Sequence, residues 1–217
     1  MLSMETITEP VSGEIPVMEY NLPDSVLINS AERSGSIIWR PDRLYVVLGR
    51  ANNAKDSLVY KNIIADNVPV YKRPSGGESV ILSPGMIVFS LKTGFTGTMS
   101  TSQIFSKINR SLIGRLSELG IRNLHSRGIS DLSIGEKKIA GSSMYLIKDS
   151  LFYHSVLNLY EDVSLISKYL RHPKREPDYR LGRSHDEFVT SIRREGYVIG
   201  YEQIEEKIAL ALKELED

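Results

Sequence analysis

Short runs of β-branched and aliphatic residues, broken every few positions by turn formers, dominate the first half of this chain. They recur at residues 26–28, 37–39, 44–48, 68–71, 79–82 and 86–91, with Ser34-Gly35 and Pro41-Asp42 among the breaks. Runs of that length and composition read as strands, so the fold is committed to burying sheet faces. Helical covering is supplied chiefly by residues 102–119, where Ile104, Phe105, Ile108, Leu112, Leu116 and Leu119 fall on one face and Gly120 follows as a stop. Further strands are expected at 121–124, 138–141, 144–147 and 152–159. A short helix is expected over 56–65, another opening with Ser184 and Glu187 at capping-box spacing, and a last one over 202–215. With no repeated β-α-β unit, this order predicts the α+β class, a mixed β-sheet flanked by helices.

At 217 residues the chain is expected to hold one large domain. Pro10, Gly13, Pro16 and Pro23 interrupt any period in the first stretch, so residues 1–25 read as an extended N-terminal arm and residues 26–217 as a single domain. Composition then removes whole classes of function. Twenty-seven basic side chains balance 27 acidic ones, which leaves no global footprint for nucleic acid. Apolar runs such as 44–48 and 86–90 fall far short of the roughly 20 residues of a membrane span. The first 20 residues carry acids and prolines where a signal peptide would have a basic end and an apolar stretch, so a cytoplasmic protein is expected. Cysteine is absent, which excludes disulfides, thiolate metal sites and any acyl-cysteine intermediate.

Two stretches carry chemistry. Lys72-Arg73-Pro74-Ser75-Gly76-Gly77-Glu78 lies between two expected strands. Consecutive glycines let backbone N–H groups approach a ligand closely, and beside two cations such groups suit a phosphate; a hairpin with a Gly-Gly turn and two solvated cations is the plainer alternative. No Walker loop is present, because the spacing and the terminal Lys-Ser or Lys-Thr are missing. In the second stretch, Lys138 opens a strand that runs into Ala140, Gly141, Ser142 and Ser143. Small residues in a strand often mark the close approach of a ligand, and Asp131 upstream could hold a divalent cation that bridges phosphates. A surface hairpin around Gly135-Glu136 is the alternative here.

Together the two stretches resemble the signature regions of the lipoate-protein ligase A branch of the biotin and lipoate ligase family. That family's first region reads Arg-Arg, a spacer, Ser or Thr and three glycines. Flanking matches occur in the same order: Val46-Val47-Leu48-Gly49-Arg50-Ala51-Asn52-Asn53 for Val-Ile-Gly-Arg-x-Gln-Asn, Asp131-Leu132 for Asn-Asp-Leu, Lys138-Ile139-Ala140-Gly141-Ser142 for Lys-Ile-Ser-Gly-Ser, and Phe152 to Leu157 for His-His-Gly-Thr-Leu-Leu. The resemblance covers roughly residues 37–170.

It implies a class II synthetase-like fold and an enzyme that activates lipoate, or a related medium-chain acid, with ATP as an acyl-adenylate. The acyl group then passes to a lysine of a lipoyl carrier domain, of the 2-oxoacid dehydrogenase E2 or glycine cleavage H protein type. By the same resemblance Lys138 is the catalytic cation, Lys72 and Arg73 clamp phosphate, Gly76 and Gly77 lie against the adenylate, and Asp131 ligates Mg2+. Arg50, Asn53, Ser75, Gly141, Ser142 and His154 complete the substrate and nucleotide contacts. Neither nucleic acid nor membrane is an expected partner. The chain is expected to stop near the close of the catalytic domain, without the C-terminal accessory domain of longer ligases, which leaves open a separate accessory subunit as partner. Departures stand beside the matches. Glu78 replaces the third glycine, Leu82-Ser83 the following His-Asp, Ser130 an asparagine and Tyr153 the first histidine, and the family's N-terminal helix with paired glutamates is not recognisable. Among rivals, octanoyl and lipoyl transferases of this fold need an acyl-cysteine, and a biotin ligase fits the Lys-Ile-Ala-Gly element less well. A non-catalytic module binding a lipoyl group, a nucleotide or a carrier is the alternative of a different class.

Overall fold

Two sheets face one another, and helices cover the outer side of the larger. The computed structural model describes residues 14–95 and 97–216. The larger sheet runs in the order β2 (Gly35–Trp39), β6 (Met86–Gly94), β10 (Ser150–Asn158), β9 (Lys137–Ile147), β8 (Asp131–Ile134) and β7 (Leu124–Arg127), each neighbouring pair antiparallel. The smaller is mixed, in the order β1 (Val17–Glu19), β4 (Val70–Lys72), β3 (Tyr45–Leu48) and β5 (Val80–Leu82). There β3 is parallel to β4 and antiparallel to β5. The expected mixed sheet is therefore divided, and the mixed pairing falls in the smaller half.

Strand alternation explains how the layers stack. On β6, Ile87, Phe89 and Leu91 meet Phe105, Ile108, Leu112 and Leu116 of helix α4 (Thr101–Ser117) and Ile204, Ile208 and Leu212 of helix α7 (Tyr201–Lys213). Val88 points the other way, into a cluster with Tyr45, Val47, Tyr71 and Leu82 of the smaller sheet. A strand buried on both faces reads as a near-continuous apolar run, as residues 86–89 do before Ser90. Helix α4 starts where Ser100 and Gln103 form a reciprocal capping box.

Three local expectations change. Residues 26–28 lie in a short helix, α1 (Ser25–Asn29), not a strand; its first turn hangs from the Leu22 and Asp24 carbonyls, and a three-residue apolar run has no period to distinguish the two. The helix expected over 56–65 is broken into α2 (Ala54–Ser57) and α3 (Tyr60–Ala65), because Leu58 turns extended and buries completely against the core. The strand expected at 121–124 begins only at Leu124, after Ile121 has entered the core and Asn123 has made a left-handed turn at φ +54°. The described part of the arm is ordered onto the domain: β1 pairs with β4, and Ile15, Tyr20, Leu22 and Asp24 are buried. Residues 1–13 of the expected arm, with Pro10 and Gly13, lie outside the described residues. Two more short helices, α5 (Ser164–Tyr169) and α6 (His185–Phe188), bracket the basic loop 171–183. Among the described residues no helix is long and apolar enough to cross a membrane.

Candidate active site

Because β4 and β5 both pair with β3, one on each side, the connection between them must pass over the end of β3. The glycine-rich stretch is thus a bridge, not the hairpin that a Gly-Gly turn would have made. It is pinned from below: Arg73 N donates to Leu48 O at 3.0 Å and Arg50 N to Ser75 O at 2.9 Å. Contact is so close that a Cβ on Gly49 would stand 1.9 Å from Gly77 O. Gly76 is different. A Cβ there would meet nothing within 4 Å, so the fold does not require its bareness.

Arg73 holds the bridge in shape. Its guanidinium is buried and donates to Ser75 Oγ, Val47 O, Gly76 O and Glu78 O at 2.8 to 3.3 Å. Burial lowers it to about 10, with Tyr20 and Glu78 opposing, so the loop rests on a full cation at neutral pH. Lys72 and Arg50, by contrast, are exposed. Lys72 lines a cleft of about 510 Å3 with Glu19, Asn52 and Asn53. Asn53 caps α2 by accepting from Asp56 N. Its neighbour Asn52 does more for the loop: it accepts from Gly49 N and donates to the Glu78 carboxylate at 3.2 Å. Glu78 is therefore turned towards Asn52 and half-buried.

Beneath Ser75 lies a polar chain. Ser75 Oγ accepts from Arg73 Nε and lies 2.7 Å from His154 Nε2. The other ring nitrogen faces the Asp24 carboxylate at 3.8 Å. Burial pushes the His154 imidazole below its ordinary value, against the pull of Asp24. Asp24 is fully buried and accepts from Tyr20 at 2.7 Å and Ser90 at 2.6 Å. Burial would raise its carboxyl, but His154, Ser90 and Tyr20 together hold it low. Tyr20 and Asp24 belong to the arm, and no local sequence signal marked them; only the docking of β1 brings them in.

Lys138 owes its direction to a β-bulge. Leu132 pairs with Ala140 but Ser133 with Lys138, so Ile139 is the extra residue and the parity of β9 changes there. Lys138 and Gly141, three apart, consequently share a face. Lys138 Nζ lies 2.8 Å from Asp131 Oδ1, across the strand pair from Gly141. A Cβ on Gly141 would sit 2.6 Å from that nitrogen. Thr190 N holds the Lys138 carbonyl at 2.9 Å. Lys137 leaves on another course, with Glu195 at 3.6 Å. The same parity change separates the two serines: Ser142 Oγ donates to Ser130 O, whereas Ser143 Oγ reaches Gly76 O at 2.8 Å and ties β9 to the glycine bridge.

Asp131, expected to ligate magnesium, has both oxygens in use: Lys138 takes Oδ1 and the Tyr179 hydroxyl donates to Oδ2 at 2.9 Å. Among the described residues no group of three His, Cys, Asp or Glu could hold a metal ion. The side chains form a bare glycine-lined surface between a cation-braced loop and a steered lysine, an arrangement suited to an anion.

Residues 22–213 match the family model described as the lipoyl protein ligase A/B catalytic domain. Lipoate-protein ligase 1 of Staphylococcus aureus is 26% identical over 156 residues, 72% of this chain and 47% of that protein, so the chain spans about half the length of that relative. In fold, it is similar to an archaeal bi-partite lipoate protein ligase studied with its E2 lipoyl domain, from Thermoplasma acidophilum (TM-score 0.75, 18% identity, covering 88% of this chain and 75% of the other). It is also similar to a lipoate-protein ligase A bound with ATP (TM-score 0.74, 16% identity, covering 92% and 83%).

Proposed function

The chain belongs to the lipoyl protein ligase A/B catalytic-domain family, and from that premise we propose that it activates lipoate with ATP and transfers the acyl group to a lysine of a lipoyl carrier domain. One observation carries the reading: the bulge that turns Lys138 onto the bare face of Gly141, where Asp131 holds it. A carboxylate attacking the α-phosphorus of ATP brings two anions together. An ammonium brought between them stabilises the charge of that transition state. The new oxygen–phosphorus bond forms as the bond to the β-phosphate breaks, and pyrophosphate leaves. In the second step a neutral carrier lysine attacks the acyl carbonyl, loses a proton and expels AMP.

In this reading the bridge over β3 supplies backbone N–H groups at Gly76 and Gly77 for the adenylate, and Arg73 and Ser75 act by fixing that backbone. Lys72 and Arg50 at the rim attract the nucleotide. Because Asp131 is committed to Lys138 and Tyr179, no ligand role for it towards Mg2+ enters these steps. Residues 26–217 form the catalytic domain, served by the arm and working in the cytoplasm.

The test is direct. Incubated with ATP, lipoate and an E2-type lipoyl domain, the protein should give an intact carrier whose mass rises by one lipoyl group, and only when all three are present. Binding of lipoate or ATP without that mass gain would favour the non-catalytic module instead.

A further inference from the structure

The loop of residues 171–183 has no part in the chemistry above, yet one of its side chains reaches into it. It is braced from within. Gly182 N donates to Glu176 Oε1 at 2.8 Å, Arg180 Nε to Arg183 O at 2.9 Å, and the Arg183 guanidinium to Tyr179 O at 2.7 Å and Glu136 O at 3.2 Å. The Tyr179 ring packs against Phe188 at 5.0 Å, and both guanidinium groups lie over the same ring. Leu181 is left in the left-handed region at φ +54° with its side chain 82% exposed. A bulky residue held there is a local strain that persists only where its surroundings impose it. The brace delivers one group to the site, the Tyr179 hydroxyl on Asp131 Oδ2.

We propose that Tyr179 is a positioning residue for Lys138, acting through Asp131, and that it lets the lysine leave its carboxylate partner for the reacting phosphate. The inference rests on the ligase reading. Asp131 is only 6% exposed. If Lys138 moves to the substrate, that carboxylate becomes an unpaired buried charge, which is strongly unfavourable. A second partner that stays behind removes much of the penalty, and an O–H is suited to the task because it stabilises the carboxylate without competing with the substrate for the lysine. Burial and the Asp131 charge push the Tyr179 phenol well above its ordinary value, so it keeps the proton it donates.

Tyr179→Phe retains the ring on Phe188 and removes only the hydroxyl. Lipoate-dependent pyrophosphate exchange should lose about ten- to a hundredfold in kcat, the worth of a hydrogen bond to a charged group, with the KM for ATP and lipoate changed by less than about twofold, since Lys138 acts on the transition state. In an Asp131→Asn background the same substitution should change kcat by less than about twofold, because a neutral amide needs no replacement partner. A second readout needs no turnover: pulse acetylation of Lys138 with acetic anhydride, followed by mass spectrometry, should slow about tenfold in Tyr179→Phe. A hydroxyl that merely secured the loop would give faster labelling, and equal losses of kcat in both backgrounds; either result, or a fully active Tyr179→Phe protein, overturns the inference. Wild-type protein without exchange, but with slower labelling in the variant, would remove the ligase reading and leave the Tyr179–Asp131–Lys138 coupling standing.

Discussion

Gly49 lies beneath the glycine bridge and Gly76 within it, and alanine at each should have opposite consequences. At Gly49 the added Cβ would stand 1.9 Å from Gly77 O, 2.7 Å from Asn52 Oδ1 and 3.0 Å from Gly77 C. Two of these atoms are backbone, so a rotamer change cannot relieve the clash and the bridge has to lift by roughly 1.5 Å to restore van der Waals contact. Lifting stretches the Arg50 N to Ser75 O bond and the Arg73 bonds to Gly76 O and Glu78 O. Overpacking costs about 1–3 kcal/mol and each of the three weakened hydrogen bonds about 1 kcal/mol, so Gly49→Ala should lose about 4–6 kcal/mol. That is roughly ten to twenty degrees in Tm for a chain of this size. At Gly76 the methyl meets nothing within 4 Å, and restricting the unfolded chain should even add about 0.4–1 kcal/mol. Yet that methyl would stand where the adenylate is proposed to lie, so KM for ATP should rise about tenfold or more while stability holds. Urea unfolding followed by circular dichroism, and pyrophosphate exchange, measure the two halves. A stable Gly49→Ala protein would refute the packing argument. A Gly76→Ala protein with unchanged KM would refute ligand approach at that glycine.

Other substitutions probe the supporting groups. His154 and Asp24 both have pKa values held below their ordinary 6.5 and 3.8. The unfolded chain therefore takes up protons that the folded one refuses. Stability should fall as pH drops through about 6.5, and further near and below the ordinary Asp24 value; melting curves from about pH 5 to 8 should show the first loss in wild type and a flatter profile in His154→Gln. Arg73→Lys cannot serve four acceptors in a fixed fork and should cost about 2–4 kcal/mol in urea unfolding; a loss below about 0.5 kcal/mol would mean that the guanidinium does not brace the loop. Glu78→Gly, which restores the third glycine of the family's loop, should leave ATP affinity unchanged or tighter in calorimetric titration, whereas collapse of activity would assign the Asn52–Glu78 contact a positive role.

The helical faces at 102–119 and 202–215 were legible because burial repeats with the period of the element, and the run at 86–89 because a strand buried on both faces is apolar at successive positions. The glycine stretch and Lys138 were legible as types of residue in a type of spacing. Direction was not legible. Lys72 and Arg73 are adjacent, and which of them turns inward depends on how the connection crosses β3, a long-range pairing with no local mark. Counting in twos from Lys138 places Ser142 on its face; the bulge at Ile139 shifts the count, so Gly141 and Ser143 are there instead. Asp24 was hidden for a similar reason: a carboxylate in a proline-broken arm looks solvated until β1 docks and Tyr20, Ser90 and His154 close around it.

Lys138 is the centre of the account, and lipoate-dependent exchange of labelled pyrophosphate into ATP tests it most directly. Wild type should exchange, Lys137→Ala should match it, and Lys138→Ala should lose about 100- to 1000-fold while melting within a few degrees of wild type. A wild-type protein with no exchange, or a Lys138→Ala protein as active as wild type, would contradict the assignment.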